Sequence, residues 1–453
     1  MEKTLHKRYG LSTAIAMVVG IVIGSGVFFK AEKILVATGG DLPTGILAWV
    51  LGGLIMVICA YVFATMATKY EKVNGVVDYA EAAMGSKYGY FVGWFMAIIY
   101  YPTLTGVLAW VSARYICVLF GFSIVGPECM LIAGLVLIAS YALNTLSPSL
   151  AGKFQVTTTV VKVIPLILMA VVGVIVGLNN GVLVQNFTSG VIADVTGNPL
   201  FTAVVASAFA YEGWIIATSI NAELKDAKKN LPLALTFGTI FTVIMYILYY
   251  VGLAGAVENR VMMEGGETGA RLAFSTVFTS VGGALMFVFV VISCLGTLNG
   301  LMLGCTRGVY SLAARKEGPK PEVFSTIDEH TNMPANSSVM GLLLCIIWLV
   351  YFYGANLVPH PWFGPFSFDS SELPVVTIYA MYIPIFVMFM VKEKSFGAFK
   401  RFIMPGLGVC ACIFMFMAAC YAHGMAVVYY LIIFAVIMAA GMLINKHTKS
   451  KRA

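Results

Sequence analysis

Gly24-Ser25-Gly26 and Ala210-Tyr211-Glu212-Gly213 each interrupt a hydrophobic segment that is otherwise long enough to span a membrane. A bilayer penalises such interruptions, because backbone N–H and C=O groups that leave a helix find no partner in hydrocarbon. Irregular backbone survives there only where it lines a cavity or binds something. The two interruptions lie roughly 187 residues apart, each at the start of one of two comparable halves. This arrangement is typical of secondary transporters with inverted repeats and a substrate site near the membrane midplane.

The composition of the whole chain is that of a membrane protein. Hydrophobic residues make up 60% of the 453 residues, charged residues make up 11%, and the mean hydropathy is +0.91. Apolar runs of about 20 residues, the length of a transmembrane helix, recur throughout. We predict an all-α membrane protein with twelve spans, of which the first and the sixth are broken. The spans are residues 11–38, 43–69, 88–116, 124–145, 154–178, 199–221, 232–256, 280–305, 336–354, 373–391, 402–421 and 424–445.

The distribution of positive charge predicts the orientation of these spans. If the N-terminus is cytoplasmic and twelve spans alternate, five of the 28 Lys and Arg residues face outside and one, Lys162, lies inside a span. The remaining 22 face the cytoplasm, so the positive-inside rule places both termini there, in a multi-pass protein of the cell membrane. The net charge of +7 is then a topology signal, and we expect no nucleic-acid partner. The five outer residues are Lys30, Lys33, Arg114, Arg260 and Arg271.

Spans one to five and six to ten form two five-helix halves of a single transporter domain, residues 1–453. Because five is an odd number, the second half must be inverted relative to the first. We predict a first repeat over residues 10–180, an inverted repeat over residues 198–392 and two additional helices over residues 400–446. A short amphipathic helix is expected at the cytoplasmic face over residues 76–86.

The first interruption predicts a binding site made of backbone groups. Two glycines around a serine let the chain leave helical geometry at low cost. The outer half-helix then begins near Ser25, Gly26 and Val27, and its free N–H groups and positive dipole end suit a carboxylate. The unpaired carbonyl groups of Val22 and Ile23, at the end of the inner half-helix, suit an ammonium group. A glycine-rich packing face between helices is the alternative interpretation.

The second interruption places a carboxylate at membrane depth. Ionisable residues within spans are functional by default unless a partner neutralises them. Glu212 is therefore either protonated, or faces a cationic part of a substrate, or faces a basic side chain such as Lys162. Phe209 and Trp214 are candidates for an apolar gate or floor. The predicted contacts of this segment are Phe209, Ala210, Tyr211, Glu212, Gly213 and Trp214.

Polar groups in two other spans are candidates for energy coupling. Lys162 lies too deep in the fifth span for complete snorkelling. Its ammonium group either replaces a bound sodium ion electrostatically, carries a proton, or bridges helices through backbone carbonyls. Ser293 and Thr297 on the eighth span either contact the first interruption and Lys162 or serve as hydrogen bonds between helices.

The sequence offers no metal site, no cofactor motif and no covalent chemistry. The five histidines lie in loops or near the termini without an H-x-x-x-H pattern, and the nine cysteines lack metal-ligand spacing. A membrane-embedded enzyme and a channel are therefore the disfavoured rival classes. We expect the cysteines to be small packing residues. Cys117 and Cys129, which flank an outward loop, are the pair placed to form a disulfide or to be modified.

At these residues the sequence resembles the amino acid–polyamine–organocation superfamily and, within it, the bacterial type of the L-type amino acid transporter family. The resemblance rests on residues 24–26, 209–214 and 223–232, and on residues 293–300 followed by Arg307 and residues 315–318. It implies twelve helices with the five-plus-five inverted repeat of LeuT-type transporters. It also implies that the substrate carboxylate meets the backbone near Ser25 and Gly26. The amino group would meet carbonyls near Val22, Phe209 and Glu212.

The resemblance further implies that Phe209 is a gating aromatic residue and that Lys162 stands where sodium binds in LeuT. The predicted function is sodium-independent exchange of amino acids by alternating access, with neutral amino acids as the main substrates and cationic amino acids or amines as co-substrates. A proton-coupled amino acid symporter and an amino acid/amine (polyamine) antiporter are alternatives. Glu212 argues against a purely neutral range, because some members that accept cationic amino acids are acidic at that position. Animal members pair with a glycoprotein subunit, whereas bacterial members do not, so we expect a functional monomer in the lipid bilayer without a heavy subunit.

Overall fold

All secondary-structure elements in the described part of the chain are helices. The computed structural model describes residues 10–70, 75–195, 197–216, 218 and 224–450. Eleven of its helices are long and apolar enough to cross a membrane, and a twelfth span results if the bent pair Ala14–Val22 and Ser25–Ala37 counts as one. The prediction of an all-α membrane protein with twelve spans is therefore confirmed.

The helices follow one another along the chain with short connections. They are α1 (Leu11–Val22), α2 (Ser25–Ala37), α3 (Leu42–Ala67), α4 (Val76–Met84), α5 (Ser86–Phe95), α6 (Tyr101–Phe120), α7 (Pro127–Leu146), α8 (Pro148–Leu168), α9 (Val174–Asn179), α10 (Val182–Thr188), α11 (Pro199–Ala210), α12 (Ala227–Ala256), α13 (Asn259–Gly265), α14 (Glu267–Ala313), α15 (Pro321–Phe324), α16 (Ala335–Asn356), α17 (Leu373–Lys392), α18 (Met404–His423) and α19 (Met425–Ser450). Single π-helical turns, Met96–Tyr100 and Met169–Gly173, join α5 to α6 and α8 to α9.

Extended backbone separates α1 from α2, and their axes differ by 43°. The linking residues are Ile23 (φ −67°, ψ 107°) and Gly24 (φ −147°, ψ −151°), conformations that any residue adopts. The glycines are instead required by packing. A Cβ on Gly24 would overlap the Thr297 side chain, and a Cβ on Gly26 would lie 2.6 Å from the Ala210 Cα. We expected these glycines to supply conformational freedom. The structure shows instead that they allow two helices to approach closely.

The second interruption depends on backbone freedom. Helix α11 ends at Ala210, and residues 211–213 form a turn in which Gly213 has φ +102°, a value that favours glycine. Residues 214–216 then form a short 3₁₀ turn. Of the sixth span predicted over residues 199–221, residues 217 and 219–221 lie outside the described residues, as does Glu223 of the following motif.

The remaining elements largely follow the prediction. The expected amphipathic helix is α4. Non-helical backbone at Phe278 and Thr279 divides α14, and the part after this kink begins at residue 280, as predicted for the eighth span, but ends at Ala313 instead of residue 305. Helix α14 packs against α6, α8 and α16, and α12 packs against α1 and α3. The inverted repeat and its bounds, residues 10–180, 198–392 and 400–446, stay predictions.

An ion pair outside the spans ties the end of α3 to the end of α17. Lys69 and the Tyr70 hydroxyl both donate to the Glu393 carboxylate. Burial raises the pKa of Glu393, but the hydrogen bonds from Lys69 and Tyr70 outweigh that effect and hold the pKa below its usual value. The carboxylate is therefore ionised at neutral pH and secures this connection.

Candidate functional site

The two interruptions contact each other. Helices α2 and α11 pack together, and Gly26 approaches the Ala210 backbone too closely for any larger residue. Because α2 begins at Ser25, the N–H groups of its first turn have no acceptor within the helix. The Ser25 hydroxyl is buried without a hydrogen-bond partner in the described residues. The start of α2 thus offers N–H donors, a hydroxyl group and a positive dipole end to an anion.

The carbonyl ends of α1 and α11 share one partner that the sequence analysis missed. The Tyr246 hydroxyl lies 2.8 Å from the Val22 carbonyl oxygen and 3.2 Å from the Ala210 carbonyl oxygen, so it donates to either of them. Its ring is buried and stacks on Tyr211 with a centroid distance of 5.1 Å. Each carbonyl oxygen keeps a second lone pair for an ammonium group. Tyr246 lies among several tyrosines on an apolar helix, and no sequence signal distinguishes it from them.

A cavity of about 540 Å³ adjoins both interruptions. That volume is ample for a small organic molecule. Among the predicted substrate residues, the cavity is lined by Val22, Gly24, Ser25, Gly26, Phe209, Ala210, Glu212 and Gly213, and also by Thr297. The other four, Ile23, Val27, Tyr211 and Trp214, are buried but do not line it. Trp214 instead places its indole N–H 3.5 Å from the Tyr379 hydroxyl.

The cavity reaches one face of the membrane region. That face carries Leu11, where α1 begins, and Ser450, where α19 ends, and we call it the terminal face. Gly152 in the first turns of α8 and Arg307 near the end of α14 line the cavity, and both are exposed. A path therefore leads from the two interruptions to the terminal face.

Aromatic rings close the opposite side of the interruptions. Phe29 lies 6.1 Å from Phe209 and 5.8 Å from Trp110, and Trp110 lies 5.1 Å from Phe352, between ring centroids in each case. These four residues form what we call the aromatic cluster, and none is more than 7% exposed. Phe209, the predicted gate, is thus part of a closed aromatic contact, and its gating role stays a prediction.

A buried ion pair lies against the aromatic cluster. The Lys30 Nζ atom is 2.6 Å from Glu372 Oε1 and 5.2 Å from the ring centroids of both Phe29 and Phe209. Glu372 Oε2 is in turn 3.0 Å from His423 Nε2. Burial raises the pKa of Glu372, but Lys30 and His423 together lower it to about 2. We call Lys30, Glu372 and His423 the outer ion triad, which joins α2 to α17 and α18 on the side away from the terminal face.

Glu212 and Lys162 have separate partners. The Tyr100 hydroxyl donates to Glu212 Oε1, and the Lys162 ammonium donates to the Gly20 carbonyl oxygen in the last turn of α1. Within the described residues no ion pair joins Glu212 to Lys162, so mutual neutralisation of these two residues is not found. Glu212 Oε2 is buried without a hydrogen-bond partner there. That oxygen is available to a proton or to a cationic group.

Ser293 and Thr297 lie beside the first interruption. Thr297 packs against Gly24, and its hydroxyl donates to the Ser293 carbonyl oxygen at 3.1 Å. The Ser293 hydroxyl is buried without a partner in the described part of the chain, and Lys162 is fully buried. The Lys162 ammonium group and the Thr297 hydroxyl thus lie near the end of α1, where a coupling cation is predicted to be replaced, and Ser293 lies one helical turn before Thr297 on α14. Their roles stay predictions.

The cysteines are mostly packed inside the structure. All nine are free thiols and seven are buried, including Cys117 and Cys129, which lie within hydrogen-bond reach of each other. In the ranges that the structure describes, no group of three His, Cys, Asp or Glu side chains is arranged to hold a metal ion.

Comparison with known proteins gives a match over nearly the whole chain. A family model described as amino acid permease matches residues 9–443. The serine/threonine exchanger SteT of Bacillus subtilis is 28% identical over 407 residues, which cover 89% of this chain and 87% of that protein. The human cystine/glutamate transporter is 25% identical over 73% of this chain and 66% of its own length. The human b(0,+)-type amino acid transporter 1 is 25% identical over 77% of this chain and 70% of its own length.

Proposed function

The chain belongs to the amino acid permease family, and from that premise we propose that it exchanges amino acids across the cell membrane by alternating access. The contact between Gly26 and Ala210 carries this proposal, because it gathers the start of α2 and the ends of α1 and α11 around one cavity. Those backbone groups complement the two charged ends that all α-amino acids share. The N–H groups of Ser25 and Gly26 receive the carboxylate, and the carbonyls of Val22 and Ala210 receive the ammonium group.

The arrangement of open and closed sides supports alternating access. The cavity reaches the terminal face, while the aromatic cluster and the outer ion triad close the other side. In the opposite end state, Lys30 separates from Glu372 and the cavity near Arg307 closes. The 22 positive residues on the terminal side support its assignment to the cytoplasm, with both termini inside.

We propose that transport needs no sodium ion. Lys162 places a positive charge at the last turn of α1, through its bond to the Gly20 carbonyl oxygen, where a cation would otherwise be held. The names of the relatives support exchange over proton-coupled symport, since SteT is named an exchanger. Replacement of sodium by choline on both sides should leave the exchange rate unchanged, and uptake that stops without sodium would contradict this role of Lys162.

Glu212 bears on which side chains the cavity accepts. Glu212 lines a mostly apolar cavity, its Oε1 atom accepts from Tyr100, and its Oε2 atom has no hydrogen-bond partner among the described residues. We propose neutral amino acids as main substrates, with cationic amino acids or amines as co-substrates if Glu212 is ionised. Competition of exchange by a panel of amino acids and amines, on wild type and Glu212→Gln, tests this. Selective loss of cationic competitors would support charge recognition, and an unchanged profile would contradict it.

Neither covalent catalysis nor a protein partner is needed for this function. The family is one of permeases, and the cavity is lined by backbone groups rather than by a nucleophile with a base. We propose a monomer that works in the lipid bilayer without a heavy subunit.

Reconstitution of the purified protein into liposomes tests the proposed function. Uptake of a labelled amino acid should saturate and should accelerate when unlabelled amino acid is present inside. Gly26→Ala supplies an inactive protein, because the new methyl group collides with α11, and Gly134→Ala supplies the matched control, because no atom lies within 4 Å of its methyl group. Failure of the wild type with all standard amino acids and amines would refute the proposal.

A further inference from the structure

The cavity is longer than one amino acid requires. Thr297 contacts Gly24 at the first interruption, and Arg307 lies ten residues further along the same helix, α14. At 1.5 Å per residue, this separates Arg307 from the interruption by about 15 Å. Both ends line the same cavity. The cavity therefore extends well beyond the interruptions, and its outer part has room for a second substrate molecule.

The two ends of the cavity carry different ionisable groups. Among the described residues that line it, the ionisable side chains are Glu212 at the interruptions and Arg307 at the terminal face. Arg307 is exposed where the cavity meets the terminal face. A guanidinium group has five N–H donors in a planar fork that matches both oxygens of a carboxylate. Arg307 already has a partner within the protein, and its five N–H donors allow it to bind a second ligand beside that partner.

Amide side chains line the wall between the two ends. Asn144 on α7 donates to the Asn299 side-chain oxygen at 2.9 Å, and Asn299 donates to the Gln155 side-chain oxygen on α8 at 3.1 Å. All three line the cavity. Because they hold one another across three helices, they form a fixed polar surface between Arg307 and the interruptions. A zwitterion therefore meets polar groups along that path rather than hydrocarbon alone.

We propose that Arg307 forms a second substrate site, an entry station that binds the carboxylate of an amino acid at the cytoplasmic mouth of the cavity. The station rests on the proposed amino acid exchange and on the cytoplasmic assignment of the terminal face. It raises the local concentration of cytoplasmic amino acids before they move to the interruptions, and it orients them with the ammonium group leading. External substrate enters from the other side and does not meet Arg307 before binding.

The station predicts an effect on one side of the membrane. In oriented proteoliposomes, Arg307→Gln should raise the half-saturating concentration of internal amino acid about tenfold, which corresponds to the loss of one charge-assisted hydrogen bond. The external half-saturating concentration and the rate with both sides saturated should change less than twofold. Arg307→Lys should give an intermediate value, because a point charge lacks the bidentate fork. Raising the ionic strength should weaken internal binding in the wild type more than in Arg307→Gln.

Lys153 provides the matched control. It is exposed on α8 near the same face but does not line the cavity, so Lys153→Gln removes the same charge without touching the station. If Lys153→Gln had an equal effect, a general surface potential would explain the result without the entry station, and the proposal would be overturned. The proposal would also be overturned if Arg307→Gln left the internal half-saturating concentration unchanged, or if it changed both half-saturating concentrations and the maximal rate together. Absence of exchange in the wild type would instead refute the proposed function itself.

Discussion

Removing the charge of Glu372 should open the side of the transporter that is closed in this structure. In Glu372→Gln, the Lys30 ammonium keeps the Ser371 hydroxyl at 3.5 Å and the two aromatic rings, but it loses its carboxylate partner. Lys30 is 3% exposed and Glu372 is 8% exposed. Breaking a buried ion pair by removing one partner costs about 3–5 kcal/mol. The closed state bears that cost, because opening gives Lys30 access to water.

This cost sets the size of the expected shift. Since about 1.4 kcal/mol is a factor of ten, the ratio of open to closed states should rise about 100-fold or more. The apparent affinity for external substrate scales with the fraction of molecules that are open to that side. Glu372→Gln should therefore lower the external half-saturating concentration at least tenfold and raise the internal one. Exchange in oriented proteoliposomes measures both values.

Two further variants separate the gate from general destabilisation. Lys33→Gln is the matched control, because Lys33 lies on the same helix and its exposed ammonium group is 3.4 Å from Glu32, and pairs made by an exposed lysine contribute little. The double variant Lys30→Met/Glu372→Leu removes both buried charges and should return the external half-saturation towards the wild-type value. The reasoning is refuted if Glu372→Gln leaves external half-saturation unchanged, or moves both sides in the same direction.

Three other substitutions test contacts of the site and of the fold. Gly26→Ala should abolish exchange, because its methyl group would lie 2.6 Å from the α11 backbone, whereas Gly134→Ala should remain active in the same uptake assay. Tyr246→Phe should slow exchange about tenfold, from loss of a hydrogen bond of about 1–1.5 kcal/mol that joins the two interruptions. An equal loss in Tyr249→Phe, whose hydroxyl has no hydrogen bond in the described residues, would contradict this. Glu393→Gln should melt earlier than the wild type at pH 7, and the difference should shrink below about pH 4.3. The reason is that a carboxyl with a lowered pKa stabilises the fold only above its unfolded pKa and loses that contribution as the pH falls.

Hydropathy predicts the helices of this protein because the bilayer imposes one rule on every span. Each stretch of about 20 apolar residues must satisfy its backbone within a helix, so element type and number follow from composition alone. The same rule makes the interruptions at residues 24–26 and 210–213 visible, since they violate it. The kink at Thr279 lies directly before residue 280, where the predicted apolar window begins, whereas the helical segment that precedes the kink, from Glu267, was not predicted.

The partners of the polar residues could not be predicted in the same way. Lys30 and Glu372 are 342 residues apart, and the sequence analysis assigned Lys30 to the outer side without a partner. Their pairing depends on how α2 packs against the start of α17, which no periodicity within either helix encodes. Lys162 shows the same limit. The sequence showed that Lys162 lies deep in the fifth span. Its acceptor could not be predicted, because the Gly20 carbonyl oxygen is a backbone atom and every residue has one.

The two interruptions form one mechanical unit because of a residue outside both. Tyr246 on α12 holds the ends of α1 and α11 through a single hydroxyl, while Gly26 and Ala210 touch on the other side of the same junction. A hydroxyl has one proton to donate, so only one of the two carbonyls is fully satisfied at a time. An incoming ammonium group supplies up to three more donors and relieves that shortage. If the substrate binds there as proposed, its ammonium group ties α1 and α11 together more firmly than Tyr246 does alone, and we expect the two broken helices to move as one when the outer ion triad opens.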